Sequence, residues 1–225
     1  YHEMISHPSL FTLQNAKNVL VIGGGDGGTV REVLRHANIE KVTMVEIDGE
    51  VIKACKEHLP EIAASFDDPR LELIVDDGIA FVQNAPDAVY DLLIVDGSDP
   101  VGPAEGLFSV DFYQNCYRTL KADGILVAQG ESPKFNEKAF AELNQTLQGI
   151  FGAQNAPVGL FFVPTYPTGM WSFQYGLKGA ADPRKLTNTD AIKAFVAEKG
   201  LRYYNEDIHF STFALPNFVK QLIQK

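Results

Sequence analysis

The stretch Asn18–Gly28 reads NVLVIGGGDGG and decides the fold of this chain. Its first part, Asn18–Gly23, is a continuous apolar run of the kind found in strands that are covered on both faces of a sheet. The glycines of Gly23–Gly28 follow directly and match the spacing G-x-G-x-x-G, and Gly28–Ala37 after them predicts a helix. A strand, a glycine-rich turn and a helix in this order predict the first βαβ unit of a Rossmann-like sheet.

The same alternation continues toward the C-terminus. Short runs rich in Val, Ile and Leu predict four more strands, at Val42–Ile47, Leu71–Val75, Asp91–Asp96 and Gly124–Gln129. Amphipathic stretches predict helices at Gly49–His58, Phe108–Leu120 and Asn136–Ile150. Strands that alternate with helices predict an α/β fold with a doubly wound, mostly parallel sheet.

The pattern changes after residue 150. Two strands, Val158–Val163 and Ser172–Leu177, are separated only by Pro164–Trp171, which is too short for a parallel crossover. They therefore predict an antiparallel hairpin at the edge of the sheet. A helix is predicted at Asp190–Lys199, and Gly179–Thr189 is the best candidate for a linker. The whole chain, residues 1–225, is expected to form a single Rossmann-like domain.

Composition disfavours several partners and compartments. The net charge is −10, with 19 basic and 29 acidic residues. Such a surface repels nucleic acids and anionic membranes, and no apolar run approaches the roughly 18 residues of a membrane helix. The two cysteines, Cys55 and Cys116, form no disulfide framework, which suits a reducing cytoplasm, and both are expected to be packing residues. The histidines show no metal-binding spacing, so no metal is expected.

The glycine loop contains a carboxylate, Asp26, which bears on the identity of its ligand. A diphosphate at the N-terminus of the following helix would be repelled by Asp26, so a ligand without phosphate and with positive charge is favoured. S-adenosylmethionine and its relatives fit this description. Gly23 and Gly25 would lie against the nucleoside, and Glu46, at the end of the next strand, would accept hydrogen bonds from the ribose. A tight turn without a ligand and an ordinary surface Glu46 are the alternatives.

The third predicted strand ends at Asp76-Asp77-Gly78. Asp77 there could accept a hydrogen bond from the adenine amine, and Gly78 would let the backbone approach the ring. Asp77 could equally be the N-cap of a helix over Ile79–Asn84. The two interpretations are compatible, and both stay open.

Two further carboxylates, Asp96 and Asp99, follow the fourth predicted strand, where α/β sheets place their chemistry. An Asx turn and a helix cap are the alternative explanation. A cluster of acids suits a polyamine, whose ammonium groups need opposite charges once desolvated. One carboxylate would accept the proton of an attacking amine. The loop Val101–Gly106 contains Gly and Pro and is a candidate lid.

Residues near the predicted hairpin complete the candidate site. Tyr166 lies in a proline-stiffened loop, where it could contact an amine or pack in the hairpin. Gln129, at the end of the fifth strand, could supply a neutral acceptor. Trp171 is expected to pack in the core or the hairpin.

Blocks along nearly the whole chain resemble the spermidine synthases, the polyamine aminopropyltransferases. The blocks are YHEM (1–4), GGGDGG (23–28), VREV (30–33), DGSDPVGPAE (96–105) and PTYPTG (164–169), and the bacterial branch is resembled in RYYN (202–205) and FALP (213–216). The resemblance implies a methyltransferase-like Rossmann fold. It also implies transfer of an aminopropyl group from decarboxylated S-adenosylmethionine, a co-substrate, to putrescine, without a metal or other cofactor. The products would be spermidine and methylthioadenosine.

The resemblance also assigns roles around the transferred group. Asp96 matches the general base and Asp99 the acid that holds the putrescine amine, while Asp26 matches the acid that meets the aminopropyl amine. Tyr1 and His2 match positions of the polyamine site.

Further positions match by the same blocks. Tyr166 is another polyamine-site position. Glu46 matches the ribose ligand, Asp77 and Gly78 the adenine contacts, and Pro103 a residue that lines the adenosine pocket from the lid.

The resemblance carries expectations about assembly and leaves other functions open. The family normally has a small β-domain ahead of the YHEM block, which this chain does not contain, and a homodimer or homotetramer is expected. A small-molecule methyltransferase shares the fold, but the two acids and Tyr166 argue against it. An NAD-dependent dehydrogenase fits the glycine loop, but Asp26 argues against it. A non-catalytic binding or scaffold role is the fourth hypothesis.

Overall fold

A single seven-stranded sheet forms the centre of the computed structural model, which describes residues 1–98 and 102–224. The strand order is β3-β2-β1-β4-β5-β7-β6. The strands are β1 (Asn18–Gly23), β2 (Lys41–Glu46), β3 (Leu71–Val75), β4 (Tyr90–Asp96), β5 (Leu120–Gln129), β6 (Val158–Phe162) and β7 (Met170–Leu177). The order reverses direction between β1 and β4, so the carboxyl ends of these two strands flank a crevice. The predicted fold class is confirmed.

The pairing of the strands agrees with the sequence pattern. Strands β1 to β5 pair in parallel, whereas β7 pairs antiparallel with both β5 and β6. The predicted edge hairpin is therefore confirmed. The parallel register places Gly23 opposite Asp96, which brings the glycine loop next to the end of β4.

Helices cover both faces of the sheet. Within the described residues they are α1 (His2–Thr12), α2 (Gly28–Leu34), α3 (Gly49–His58), α4 (Pro60–Ala63), α5 (Gly78–Asn84), α6 (Val110–Thr119), α7 (Glu137–Phe151), α8 (Asp190–Lys199), α9 (Glu206–Ser211) and α10 (Asn217–Ile223). Asp48 and Ser109 cap α3 and α6, because their side chains accept hydrogen bonds from backbone amides of the first turn. No helix is predicted from the sequence over the residues of α1.

The core has two layers, one on each face of the sheet. Alternate residues of a strand point to opposite faces, so Val21 and Ile94 pack in one layer while Leu20 and Leu93 pack in the other. All four side chains are fully buried, which explains why the strands are continuous apolar runs. Cys116 is also fully buried in the second layer, as expected of a packing residue.

The segment predicted as a linker packs against the rest of the chain. It contains a short 3-10 turn, Pro183–Lys185. Asp182 is 8% exposed and pairs with Arg184, and the carbonyl of Pro183 lies 2.8 Å from Nε2 of His209. The contact with His209 joins this segment to α9. None of the helices in residues 1–98 and 102–224 is long and apolar enough to cross a membrane.

Candidate active site

A cavity of about 1240 Å³ opens at the carboxyl ends of β1, β2 and β4. Every predicted site residue whose side chain the structure describes lies on its wall. These are Tyr1, His2, Gly23, Gly25, Asp26, Glu46, Asp77, Gly78, Asp96, Gln129 and Tyr166. The cavity exceeds the volume usual for a single small ligand, roughly 300–1,000 Å³, and is large enough for two.

Backbone conformation and close packing both require glycines in the glycine loop. Gly23, Gly24 and Gly27 have φ values of 83°, 75° and 80°, which side chains rarely tolerate. A Cβ on Gly23 would lie 2.3 Å from the carbonyl oxygen of Asp96, and the amide of Gly24 donates to that oxygen at 3.0 Å. The loop is therefore joined to the end of β4.

Asp26 lies within this loop, and its carboxylate is held from two sides. Its Oδ1 accepts a hydrogen bond from the amide of Gly28 at 2.8 Å, and its Oδ2 lies 3.0 Å from Nε2 of His2. Burial favours the neutral acid, but these contacts outweigh it and hold the pKa of Asp26 below its ordinary value. Asp26 therefore presents a negative charge to the cavity.

Glu46, at the end of β2, lies on the other side of the loop. Its Oε1 accepts a hydrogen bond from the amide of Asp48 at 3.0 Å. Its Oε2 would lie 3.0 Å from a Cβ at Gly25, so the loop passes close to the carboxylate because Gly25 has no side chain. A ribose in this part of the cavity would meet an acceptor that is already oriented.

Asp77 and Gly78 form the wall beyond Glu46. Oδ1 of Asp77 accepts a hydrogen bond from the amide of Ile79 at 2.8 Å, so Asp77 is the N-cap of α5. A Cβ at Gly78 would lie 2.6 Å from a methyl group of Ile22, so a side chain at this position would force Ile22 to shift. The N-cap prediction is confirmed, and contact with adenine stays a prediction.

Asp96, at the end of β4, receives a hydroxyl group on each carboxylate oxygen. The Tyr1 hydroxyl donates to Oδ1 at 2.5 Å, and the Thr29 hydroxyl donates to Oδ2 at 2.6 Å. Burial raises the pKa of Asp96 above its ordinary value, although these two hydrogen bonds oppose the rise. The carboxylate is therefore fixed in orientation and more basic than an exposed aspartate.

Tyr1 and His2 lie at the N-terminal end of helix α1, which places both side chains on the cavity wall. The carboxylate of Glu3 accepts hydrogen bonds from the backbone amides of residues 202–204, at 2.8 to 3.0 Å, and ties the start of the helix to the C-terminal segment. The Tyr1 ring packs edge-on against Phe173, with the ring centroids 5.2 Å apart. The position of the Tyr1 hydroxyl is thus set by distant parts of the chain.

The hairpin loop closes one end of the cavity. Tyr166 is 36% exposed and packs edge-on against Trp171, with the ring centroids 4.8 Å apart. Trp171 is only 4% exposed and belongs to the core, as predicted, but it also lines the cavity.

Gln129 lines the cavity, but both ends of its amide already have partners. Its nitrogen donates to a carboxylate oxygen of Glu131 at 3.0 Å, and its oxygen accepts from the backbone amide of Glu131 at 2.6 Å. Glu131 is fully buried and also accepts a hydrogen bond from the Asn136 side chain. The orientation of the Gln129 amide is therefore fixed by Glu131.

Two predicted residues belong to the loop after β4. Asp99 lies outside the described residues. Pro103 lies in a 3-10 turn over Gly102–Phe108, and its side chain is outside the described part of the chain. Within residues 1–98 and 102–224, no group of three or more His, Cys, Asp or Glu side chains is placed to hold a metal ion.

Comparison with known proteins agrees with this geometry. The spermine/spermidine synthase domain matches residues 1–184. The chain belongs to this family. The polyamine aminopropyltransferases of Caldicellulosiruptor saccharolyticus and Moorella thermoacetica are 47% and 48% identical to it over 224 residues. These matches cover 100% of this chain and 77% and 76% of the two relatives.

Solved structures of family members superpose closely. A crystal structure of spermidine synthase in complex with the transition-state analogue AdoDATO has a TM-score of 0.94 and 41% identity. Spermidine synthase from Thermotoga maritima has a TM-score of 0.92 and 41% identity. Both comparisons cover the whole of this chain, and 75% and 74% of the two solved chains.

Two buried polar residues that contact the cavity wall were not predicted from the sequence. Thr29 is fully buried and donates to Asp96, and Glu131 is fully buried behind Gln129. The proximity of Glu131 to Gln129 in Gln129-Gly130-Glu131-Ser132 was a usable signal. No local pattern could have placed Thr29 against Asp96, because the two residues are 67 positions apart.

Proposed function

We propose that this chain transfers an aminopropyl group from decarboxylated S-adenosylmethionine to putrescine, giving spermidine and methylthioadenosine. The observation that carries the proposal is the position of Asp96, a carboxylate that lines the cavity and accepts two hydroxyl groups. Asp26, which also lines the cavity, supplies a second negative charge. An aminopropyl donor and an amine acceptor are the substrates that family membership implies.

The reaction is a displacement at carbon. The unprotonated amine nitrogen of putrescine attacks the aminopropyl carbon that is bonded to the sulfonium. A carbon–nitrogen bond forms, the carbon–sulfur bond breaks, and its electron pair goes to sulfur, which leaves as the neutral thioether of methylthioadenosine. The nitrogen gives its extra proton to Asp96. The raised pKa of Asp96 makes it a better proton acceptor.

The donor would lie along β1 and β2. Glu46 would accept hydrogen bonds from the ribose hydroxyls, and Asp77 with Gly78 would contact the adenine. Gly23 and Gly25 would lie against the nucleoside, and Asp26 would bind the ammonium of the aminopropyl group. All of these residues line the cavity. Pro103 is proposed to cover the adenosine.

The acceptor would lie on the side of the cavity near α1 and the hairpin. Asp99 would bind the attacking amine, and Tyr166 would contact the methylene chain. Tyr1, His2 and Gln129 line the same region. Because the leaving group becomes a neutral thioether, the reaction needs no metal to stabilise it, and we propose that none takes part.

Assembly and location follow from the same proposal. We expect a homodimer or homotetramer in the cytoplasm, without nucleic-acid or membrane partners. The negative net charge supports the absence of nucleic-acid partners. The unpaired Cys55 and Cys116 suit a reducing compartment. Light scattering on the purified chain tests the oligomeric state.

Mass spectrometry of products tests the proposed reaction. The chain is incubated with decarboxylated S-adenosylmethionine and putrescine, and parallel reactions contain ordinary S-adenosylmethionine, cadaverine or spermidine. We expect spermidine and methylthioadenosine in equal amounts from the first reaction. Methylated amine from ordinary S-adenosylmethionine would support a methyltransferase, and enhanced NADH fluorescence on binding would support a dehydrogenase. Either result without spermidine contradicts the proposal.

A further inference from the structure

Thr29 is placed to control the orientation of Asp96. It follows the glycine loop in the first turn of α2 and is fully buried. Its hydroxyl donates to Oδ2 of Asp96 at 2.6 Å, and its backbone carbonyl lies 3.5 Å from the hydroxyl of Ser6 in α1. Thr29 is not on the cavity wall, so it touches neither substrate in the proposed arrangement.

A threonine further inside a helix often donates its hydroxyl to the carbonyl one turn earlier. Thr29 has no such carbonyl within α2, because the helix begins at Gly28. The hydroxyl of Thr29 donates instead to a side chain on another element, the end of β4. Because the Thr29 hydroxyl is fully buried, water cannot easily take its place beside Asp96 if the bond is lost.

The two hydroxyl donors leave acceptor capacity on Asp96. An ionised carboxylate has about four acceptor positions, and Tyr1 and Thr29 use one on each oxygen. With both oxygens anchored, rotation of the carboxylate is restricted. The remaining positions are then presented in one fixed direction, as a base for an in-line displacement requires.

We propose that Thr29 is a positioning residue, which holds Asp96 in the orientation that accepts the proton of the attacking amine. The inference rests on the proposed function, since it gives Asp96 the role of base. Tyr1 holds the opposite oxygen and reaches the cavity itself, whereas Thr29 acts only through Asp96.

Other charged groups also face Asp96 and enter any pH profile. At the start of α1 these are the hydroxyl group of Tyr1 and the imidazole of His2, and from the glycine loop it is Asp26. Positive charge on His2 lowers the pKa of Asp96, and the charge of Asp26 raises it. None of these groups is changed by a substitution at Thr29, so the comparison with wild type isolates the lost hydrogen bond.

The test replaces Thr29 with the isosteric valine and with serine, and measures kcat and KM for putrescine across pH. For Thr29→Val the acid limb of the kcat profile should move upward by about one pH unit, because the ionised form of Asp96 loses a donor. The plateau kcat should fall about threefold to tenfold, and KM should stay within about twofold. Thr29→Ser should restore both the profile and kcat.

A control and a second readout keep the result unambiguous. Thr119→Val removes another fully buried hydroxyl, which donates to the carbonyl of Cys116 away from the cavity, and should leave the profile unchanged. Carbon NMR of the Asp96 carboxyl group in the unliganded chain, assigned with Asp96→Asn, should show the same upward shift of about one unit in Thr29→Val. This readout does not depend on turnover, so it tests Thr29 even if the wild type makes no spermidine.

Two results would overturn the inference. One is an unchanged Asp96 pKa together with an unchanged acid limb in Thr29→Val. The other is a loss of kcat that Thr29→Ser does not restore and that parallels a loss of thermal stability, which would indicate a structural role only. If Thr29→Val does not fold, Thr29→Ala removes the same hydroxyl without adding bulk, and the same NMR titration decides.

Discussion

The two halves of the cavity are built in different ways. In the nucleoside half, Glu46 and Asp77 accept hydrogen bonds from backbone amides two residues further along the chain. In the reactive half, Asp96 is held by Tyr1 and Thr29, which are 95 and 67 positions away. The first half is therefore oriented by local turns, and the second only by the completed fold.

This difference predicts which substitutions should impair each half of the cavity. A local turn forms from a few adjacent residues, so substitutions elsewhere should leave the nucleoside half intact. The reactive half depends on α1, which is tied by Glu3 to residues 202–204 and packs through His7 against Glu32 and His36. Disturbing that packing should reduce proton transfer before it reduces nucleoside binding.

The largest effect is expected from Asp96→Asn. Removal of the proposed general base should lower kcat for spermidine formation by about 10²–10⁴-fold, measured by mass spectrometry. Asp91→Asn is the matched control, because Asp91 lies near the opposite end of the same strand, where it accepts from the amides of Lys17 and Asn18. Near-normal kcat in Asp96→Asn would remove Asp96 from the role of base.

Asp26→Asn, at the boundary of the two halves, should weaken binding of the donor more than binding of the product. Decarboxylated S-adenosylmethionine carries the aminopropyl ammonium, and methylthioadenosine does not. Loss of one charged contact should weaken donor binding about 10- to 100-fold and methylthioadenosine binding less than about threefold, by calorimetry. Equal weakening of both ligands would place Asp26 against the nucleoside instead.

Glu46→Gln tests whether Glu46 binds the ribose in the nucleoside half. A neutral amide is a weaker acceptor for the ribose hydroxyls, so methylthioadenosine binding should weaken by about 1–3 kcal/mol. Glu72→Gln is the control, since Glu72 lies on the adjacent strand β3 and pairs with Lys41 at the surface. An unchanged dissociation constant in Glu46→Gln would exclude the ribose contact.

The smallest expected effect is a loss of folding stability at acidic pH, caused by His36, which contacts His7 of α1. Burial and, to a smaller extent, the nearby His7 lower the pKa of His36 to about 3, whereas the unfolded chain binds this proton near pH 6.5. The unfolded state therefore takes up the proton first, and stability present above pH 6.5 is lost as pH falls toward 3. Between pH 6.5 and 5.5 the loss is about 1 kcal/mol.

His36→Gln tests the predicted direction of this pH dependence of stability. Glutamine keeps a polar group toward His7 but does not titrate, so its unfolding free energy should decline less over this pH range. Urea unfolding at pH 6.5 and 5.5 measures the difference. Glu32 does not contribute there, because its pKa is lowered to about 2 and its stabilisation is lost only below its ordinary value of 4.5. An identical decline in both proteins would contradict the account.

The sequence predicted the local half of the site better than the long-range half. The parallel strands, the edge hairpin, the N-cap at Asp77 and the position of Glu46 all follow from patterns over a few residues. Helix α1 has no capping side chain and contains Pro8, so no local signal predicts it. Tyr1 was suggested only by the family resemblance, and Thr29 by nothing, because their contacts to Asp96 arise from packing.

The affinity of Asp96→Asn for methylthioadenosine tests the division of the cavity most directly. Calorimetry on the wild type and this variant, using the preparations whose turnover has been measured, gives both dissociation constants. The account predicts that they agree within about twofold while turnover is lost, since Asp96 acts only on the proton. A weakening of tenfold or more in Asp96→Asn would show that the two halves are one unit and would contradict the account.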